Sequence, residues 1–277
     1  MTDYLHHTFN SNDPELVSVI DELPLWSAPF GLKLLDLVKL NKGIKFLDVG
    51  SGLGFPLVEL AQRLGASSTG YGLDPWKPAI ERTALKARVY GLTNIELAEG
   101  IAESIPFADS YFDLIISNNG LNNVENLEKA ISECGRVCKQ GGQFVFTLNL
   151  DESMREFYDA FGTTLANNGL SSEIEQMKAH ISQKRPPIDL LKKLVGKSGF
   201  EIEKIHYEKF YLKFVDAQSM FNHSFIKYWF LGAWKELAPP ELLEKIFSET
   251  EKAMDEAANN SEIKLYIPFA AFNCFKI

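Results

Sequence analysis

The residues best suited to chemistry lie where a short apolar run ends in Leu47-Asp48-Val49-Gly50-Ser51-Gly52-Leu53-Gly54-Phe55. A strand that runs into a glycine-rich turn and opens a helix presents backbone N–H groups and a positive helix terminus to an anion. Glycines let such a ligand approach the main chain with no Cβ in the way. The dinucleotide fingerprint G-x-G-x-x-G would need glycine at position 55, where Phe55 stands. Here the glycines recur as Gly50-x-Gly52-x-Gly54, with Asp48 two residues ahead of the first. A carboxylate at that strand tip suits a ligand carrying an ammonium group as well as a carboxylate. The next strand ends at Asp74, and in doubly wound sheets an acid there accepts hydrogen bonds from the two ribose hydroxyls of an adenosine. Trp76 follows, placed to lie against an adenine face.

These residues need elements to hold them, and the middle of the chain supplies a strand–helix alternation that signals a parallel sheet. Strands are predicted at 44–49, 69–73, 95–98, 112–117 and 143–148, with helices at 55–64, 78–90 and 124–138 between them. The run 112–117 is almost wholly apolar, as a strand covered on both faces should be. Gly141-Gly142 is predicted to turn the chain into the fifth strand. Beyond residue 150 helices are predicted at 153–167, 171–184 and up to Gly199, with Pro186-Pro187 breaking the run. An extended stretch at 200–214, helices at 217–237 and 240–258 and a last strand at 263–275 complete the pattern.

Composition bounds the partners. A chain of 277 residues with 45% hydrophobic and 23% charged side chains is globular, which excludes disordered and collagen-like classes. Twenty-eight Lys and Arg against 37 Asp and Glu leave a net charge of −9, which argues against nucleic acid as a partner. Three cysteines make no disulfide framework, so a reducing compartment is expected. The first residues show neither the basic nor the apolar region of a secretory signal. No apolar run approaches the roughly 18 residues that would span a bilayer. The expectation is a cytoplasmic protein with no stable membrane insertion.

Four motifs in order now stand on the page. They are the acid-x-Gly-x-Gly-x-Gly turn, the acid at Asp74, the segment Gly100-Ile101-Ala102-Glu103-Ser104-Ile105-Pro106-Phe107, and Arg136-Val137 leading to Gly141-Gly142. Over residues 44–148 the chain resembles the class I S-adenosylmethionine (SAM)-dependent methyltransferases. The resemblance implies an α/β, Rossmann-like, seven-stranded, mostly parallel sheet with helices on both faces and added helical lid segments. It implies SAM as cofactor, with Asp48 and the backbone of Gly50, Ser51, Gly52 and Gly54 at the methionine moiety and Asp74 at the ribose. Trp76, Ile101 and Ala102 would surround the adenine, and Ser117 and Asn118 would sit near the sulfonium. Many relatives carry an aspartate where this chain has Ile101, so that contact to the adenine amino group must come from backbone here.

The activity expected is methyl transfer to a small-molecule acceptor by in-line displacement, which needs alignment and exclusion of water more than an acid or base. A non-catalytic SAM-binding protein is the alternative from another class, and a NAD-linked oxidoreductase is disfavoured by Phe55. Residues 1–43 are expected to form an N-terminal helical cap and 44–277 the catalytic domain, with lid insertions at about 150–186 and 215–262. Leu23 to Phe30 would add a third wall. Eleven of the 33 aromatics lie between Phe200 and Trp234, suiting an apolar, aromatic or cationic acceptor, although core packing of added helices explains most of them as well. Gly120-Leu121-Asn122-Asn123-Val124 is similar to the corresponding stretch of quinone-biosynthesis C-methyltransferases, with Asn122 where those usually have arginine. Asn119, Asn122 and His223 are candidate acceptor-orienting residues, against helix capping for Asn122 or Asn123 and plain surface exposure for His223. Cys134 and Cys138 share a helix face away from the strand tips and read as small buried hydrophobes, and the histidines show no ligand spacing, so no metal is expected.

Overall fold

The computed structural model describes residues 2–22, 25–259 and 261–277; Leu23 and Pro24 of the expected third wall lie outside them. In chain order the first elements are α1 (Pro14–Asp21), α2 (Ser27–Leu37), β1 (Lys45–Val49), α3 (Leu57–Leu64), β2 (Thr69–Asp74) and α4 (Lys77–Val89). There follow β3 (Ile95–Glu99), β4 (Phe112–Asn118), α5 (Leu127–Val137), β5 (Cys138–Asn149), α6 (Arg155–Asn167), α7 (Ser171–Lys184) and α8 (Ile188–Lys197). The chain ends in β6 (Phe200–Phe214), α9 (Ala217–Asn222), α10 (Ser224–Trp229), α11 (Leu231–Lys235), α12 (Leu243–Ala257) and β7 (Ile263–Lys276). The seven strands lie in the order β3-β2-β1-β4-β5-β7-β6. The first five pair in parallel, and β7 returns antiparallel to β5, with Gln143 opposite Phe275 and Asn149 opposite Phe269. This is the expected α/β class.

The chain divides into two compact units. A sheet unit comprises Ser11–Asn149, Pro186–Glu208 and Phe269–Ile277, and a helical unit comprises Met1–Asn10, Leu150–Arg185 and Lys209–Pro268. Within the sheet unit, α3 turns Leu57, Leu60, Ala61 and Leu64 onto one stripe by their three- and four-residue spacing. That stripe packs in one cluster with Phe46 of β1, Leu114 and Ile116 of β4 and Val145 of β5. Burying each large side chain there contributes roughly 1.5–3 kcal/mol. Gly141-Gly142 makes a bulge inside β5 rather than a turn before it: Phe112 pairs with Cys138, yet Leu114 pairs with Gln143. Gly141 takes φ +74° to absorb the extra residues.

The helical unit is built on aromatic rings. Trp234 is fully buried and stacks on Phe157 at 3.8 Å between ring centres, and Phe157 stacks in turn on Phe161 at 5.2 Å. Phe221 stacks on Tyr4 at 5.0 Å and meets Phe247 of α12 edge-on at 5.6 Å. The Tyr4 hydroxyl donates to Glu251. Of the aromatic-rich stretch, Phe221, Phe225 and Trp234 are thus core, whereas Tyr207, Tyr211 and Trp229 are exposed. The single helix predicted at 217–237 is three short ones. His223 leaves helical geometry at ψ 131° and caps both neighbours, and Phe230 breaks the next junction at φ −121°.

Candidate active site

The glycine turn is fastened to β2 before any ligand arrives. The N–H groups of Gly50 and Ser51 both donate to the Leu73 carbonyl, at 2.8 and 3.1 Å. Gly52 N–H donates to Asp74 Oδ2 at 2.8 Å, and Gly54 N–H closes the turn onto the Ser51 carbonyl at 2.9 Å. Four amides expected to face an anion are therefore spent within the fold. The outer face of the turn is held by α4, where the Thr83 hydroxyl donates to the Gly52 carbonyl at 3.2 Å and Lys86 donates to that of Leu53. Lys86 and Arg82 also bind Asp21 of α1.

What the turn leaves unanswered is polar and buried. Asp48 is fully buried at the end of β1, and neither carboxylate oxygen has a hydrogen-bond partner among the described residues. Burial, then the nearby charge of Asp74, push its carboxyl up to about 8. The Ser51 hydroxyl, 2% exposed, is likewise without a partner. A buried carboxylate in this state calls for a cation, and the ammonium of SAM is one; the residues present fit that cofactor.

Asp74 at the tip of β2 accepts from Gly52 N–H and, through Oδ1, from Trp76 N–H at 2.8 Å. Burial raises its carboxyl, and the two amides oppose that rise. Each oxygen keeps lone-pair capacity for a further donor. Trp76 is partly buried, and its indole N–H donates to the Ser11 carbonyl at 3.0 Å, which orients the ring. Across the same strand tips, Gly100 N–H donates to the Asp74 carbonyl at 3.1 Å, followed by a half-exposed Ile101 and a buried Ala102.

The fourth strand tip is braced. Ser117 donates its hydroxyl to the Val49 carbonyl at 2.7 Å, and Asn118 donates to Ser27 at 3.0 Å while accepting from Thr147 at 3.1 Å. Both side chains spend hydrogen bonds on holding β1, β4, β5 and α2 together. A Cβ on Gly120 would meet the Val49 carbonyl at 2.7 Å, so only glycine lets the turn after β4 pass so near Gly50. Asn119 sits in the left-handed region at φ 60°, donates its N–H to Thr147 and accepts from Asn149 N–H at 3.2 Å. Asn122 is buried in the 3-10 turn Gly120–Asn123, and the residue that caps α5 is Asn126. His223 belongs to the helical unit, where its Nδ1 accepts from Phe225 N–H at 3.3 Å and its ring meets Phe214 edge-on.

Sequence reasoning noticed Arg136 only as a motif letter. Its guanidinium donates to the Phe107 and Ile105 carbonyls at 2.8 and 2.9 Å, to Asp109 at 2.8 Å, and twice to Glu133. Glu133 in turn accepts from Ile105 N–H at 2.9 Å, and Arg136 holds its carboxyl below the ordinary value. The segment that carries Ile101 and Ala102 is thereby clamped to α5. The detectable signal was an acid and an arginine three apart on one helix face.

Cys134, Cys138 and Cys274 are buried free thiols, and burial raises all three, Cys138 to about 12. No group of three His, Cys, Asp or Glu among the described residues could hold a metal ion. Among those residues no helix is long and apolar enough to cross a membrane.

Comparison with known proteins agrees with this geometry. The family described as "Methyltransferase domain" matches residues 47–146. A ubiquinone/menaquinone biosynthesis C-methyltransferase from Psychromonas ingrahamii is 29% identical over 179 residues, covering 60% of this chain and 70% of that one. A demethylmenaquinone methyltransferase from Chlorobaculum parvum is 36% identical over 117 residues, 42% of this chain. The chain spans 46% of that protein's length. Among solved structures, the YcgJ protein of Bacillus subtilis superposes with a TM-score of 0.59 at 18% identity, over 90% of this chain and 98% of its own. A geranyl diphosphate C-methyltransferase from Streptomyces coelicolor, in complex with S-adenosyl-L-homocysteine, gives 0.55 at 16% identity, over 90% and 76%. With the strand order, the acid-and-glycine turn and the orphaned carboxylate on β1, these matches show an enzyme that carries a SAM-dependent methyltransferase domain over residues 47–146, with SAM as its cofactor.

Proposed function

We propose that this methyltransferase transfers the methyl group to a small-molecule acceptor with an apolar or aromatic body. The observation that carries the donor assignment is Asp48, a fully buried carboxylate with both oxygens unanswered. In this reading Asp48 and the Ser51 hydroxyl receive the ammonium group, and Gly50, Gly52 and Gly54 allow the close approach of the methionine chain. Asp74 accepts from the ribose hydroxyls, while Trp76, Ile101 and Ala102 flank the adenine. Ser117 and Asn118 act by holding the strand tips in place. When bound, SAM supplies an activated sulfonium methyl, open to in-line displacement. The protein's part is then to align the acceptor and keep water out.

Asn119 and Asn122, in the turn after β4, are the residues proposed to orient the acceptor. His223 is left to its capping role. Charge supports a non-nucleic-acid substrate, since a protein at −9 repels polyanions. Three unpaired thiols support a reducing, cytoplasmic setting. The quinone-ring chemistry in the relatives' names belongs to those proteins. Acceptor choice here is assigned to the insertions at about 150–186 and 215–262, the lid segments expected from the sequence.

The test is incorporation of a labelled methyl group from SAM into fractionated cell extract. Label is expected in the low-molecular-weight organic-soluble fraction. Label confined to protein or nucleic acid would overturn the small-molecule reading while leaving the donor assignment intact.

A further inference from the structure

The helical unit encloses a positive charge that no carboxylate among the described residues pairs with. Arg185, the residue following α7, is 3% exposed. Its Nη2 donates to the Tyr158 hydroxyl at 3.4 Å, and its guanidinium carbon lies 4.9 Å from the centre of the Tyr158 ring. Nε and Nη1 have no hydrogen-bond partner among the described residues. A guanidinium cannot shed its proton to escape this situation, and a buried charge without a counter-charge is strongly unfavourable. The Tyr158 oxygen also accepts the Trp234 indole N–H at 3.1 Å, so it takes two donors and keeps its own O–H for a further acceptor. His180 completes the surroundings, with its ring centre 6.4 Å from that of Tyr158. Burial and the charges of Arg185 and Lys184 hold His180 below its ordinary value, hence neutral.

We propose that the helical unit binds the carboxylate of a small organic ligand at Arg185, with Tyr158 as a second donor. One fixed positive charge beside a neutral histidine balances a monoanion, whereas a phosphate dianion would leave negative charge unmatched. The planar fork of arginine matches a carboxylate, and the rings of Tyr158 and Trp234 give the ligand's carbon skeleton an apolar neighbour. Every residue of the site belongs to the helical unit and none is among those assigned to the methyl donor, so the proposal does not rest on the donor assignment.

Benzoate is the probe, read by thermal unfolding of full-length protein saturated with S-adenosylhomocysteine, whose own stabilising shift is measured first. Loss of that first shift would count against the donor site alone. Benzoate is expected to raise the wild-type Tm by about 2–6 °C, saturably, by binding only the folded state. The neutral ester methyl benzoate should give no rise and phenyl phosphate a smaller one. Arg185→Met removes the charge at similar volume, should keep or raise the ligand-free Tm, and should abolish the benzoate shift. Arg185→Gln serves the same purpose should the methionine variant not fold. No benzoate shift in the wild type, an equal shift in either variant, or a larger shift with phenyl phosphate would each overturn the proposal.

Discussion

The two units of this molecule bury polar groups by opposite rules. In the sheet unit the buried polar atoms at the strand tips are bonded to one another almost without remainder, as with Ser117 to Val49, Asn118 to Ser27 and Asp74 to Gly52 and Trp76. Among the exceptions are Asp48 and Ser51, three residues apart where β1 runs into the glycine turn. In the helical unit, stacked rings around Phe157, Phe221 and Trp234 make the core, and the exceptions include a cation, Arg185. An unanswered acid in one unit and an unanswered base in the other point to ligands of opposite charge. Leaving a buried polar group unpaired is costly, so such exceptions are sharper markers of binding than the satisfied groups around them.

The contrast can be broken most forcefully at Trp234. Trp234→Ala should destabilise the protein by about 3–5 kcal/mol in urea unfolding, because a fully buried indole leaves a large void. Hydrogen exchange should place the lost protection among amides of α6 and α12. A smaller loss, near 1 kcal/mol, would mean that this core collapses around the gap.

Asp74→Ala addresses the sheet unit with a smaller effect. Binding of S-adenosylhomocysteine, measured by calorimetry, should weaken by about 1–3 kcal/mol, because a charged acceptor is lost and two amides lose their partner. Unchanged affinity would show that the ribose is held elsewhere.

A third test is a pH dependence at Asp48, spread over several pH units. Its folded-state value of about 8 lies above the ordinary 3.8, so folding favours the protonated acid. That contribution is complete below about pH 4 and is lost as pH rises toward 8, with a slope of at most about 1.4 kcal/mol per pH unit. Ligand-stripped wild type should therefore lose more stability between pH 5 and pH 8 than Asp48→Asn does. Equal losses would mean that Asp48 ionises freely, which would remove the reason to assign it a cation.

Much of the sheet was legible because its signals are local. The apolar run at 112–117, the acid-and-glycine turn and the long extended stretch at 200–214 each announce themselves within a few residues. Strand ends moved by a residue or two at Asp74 and Asn118, where side chains pin the tips. The split of 217–237 into three helices was hidden, since it turns on the extended backbone of His223 rather than on glycine or proline. The turn amides were misjudged for a different reason. Glycine spacing says that a ligand can come close, but not that Leu73 and Asp74 already occupy the donors. Arg185 carried no pattern at all, because its isolation is produced by packing from α6 and α11, distant in the chain.

The grip of Arg136 on residues 105–109 bears on how this protein could be recombined with its relatives. Residues 105–109 and α5 behave as one block, because the segment's carbonyls have their donors on that helix. A chimera with its crossover between Phe107 and Glu133 would separate acceptors from donors and should lose nucleoside affinity while its sheet still assembles. Crossovers before Gly100 or after Val137 leave the pairing whole, and those are the joints at which exchange between family members should be tolerated.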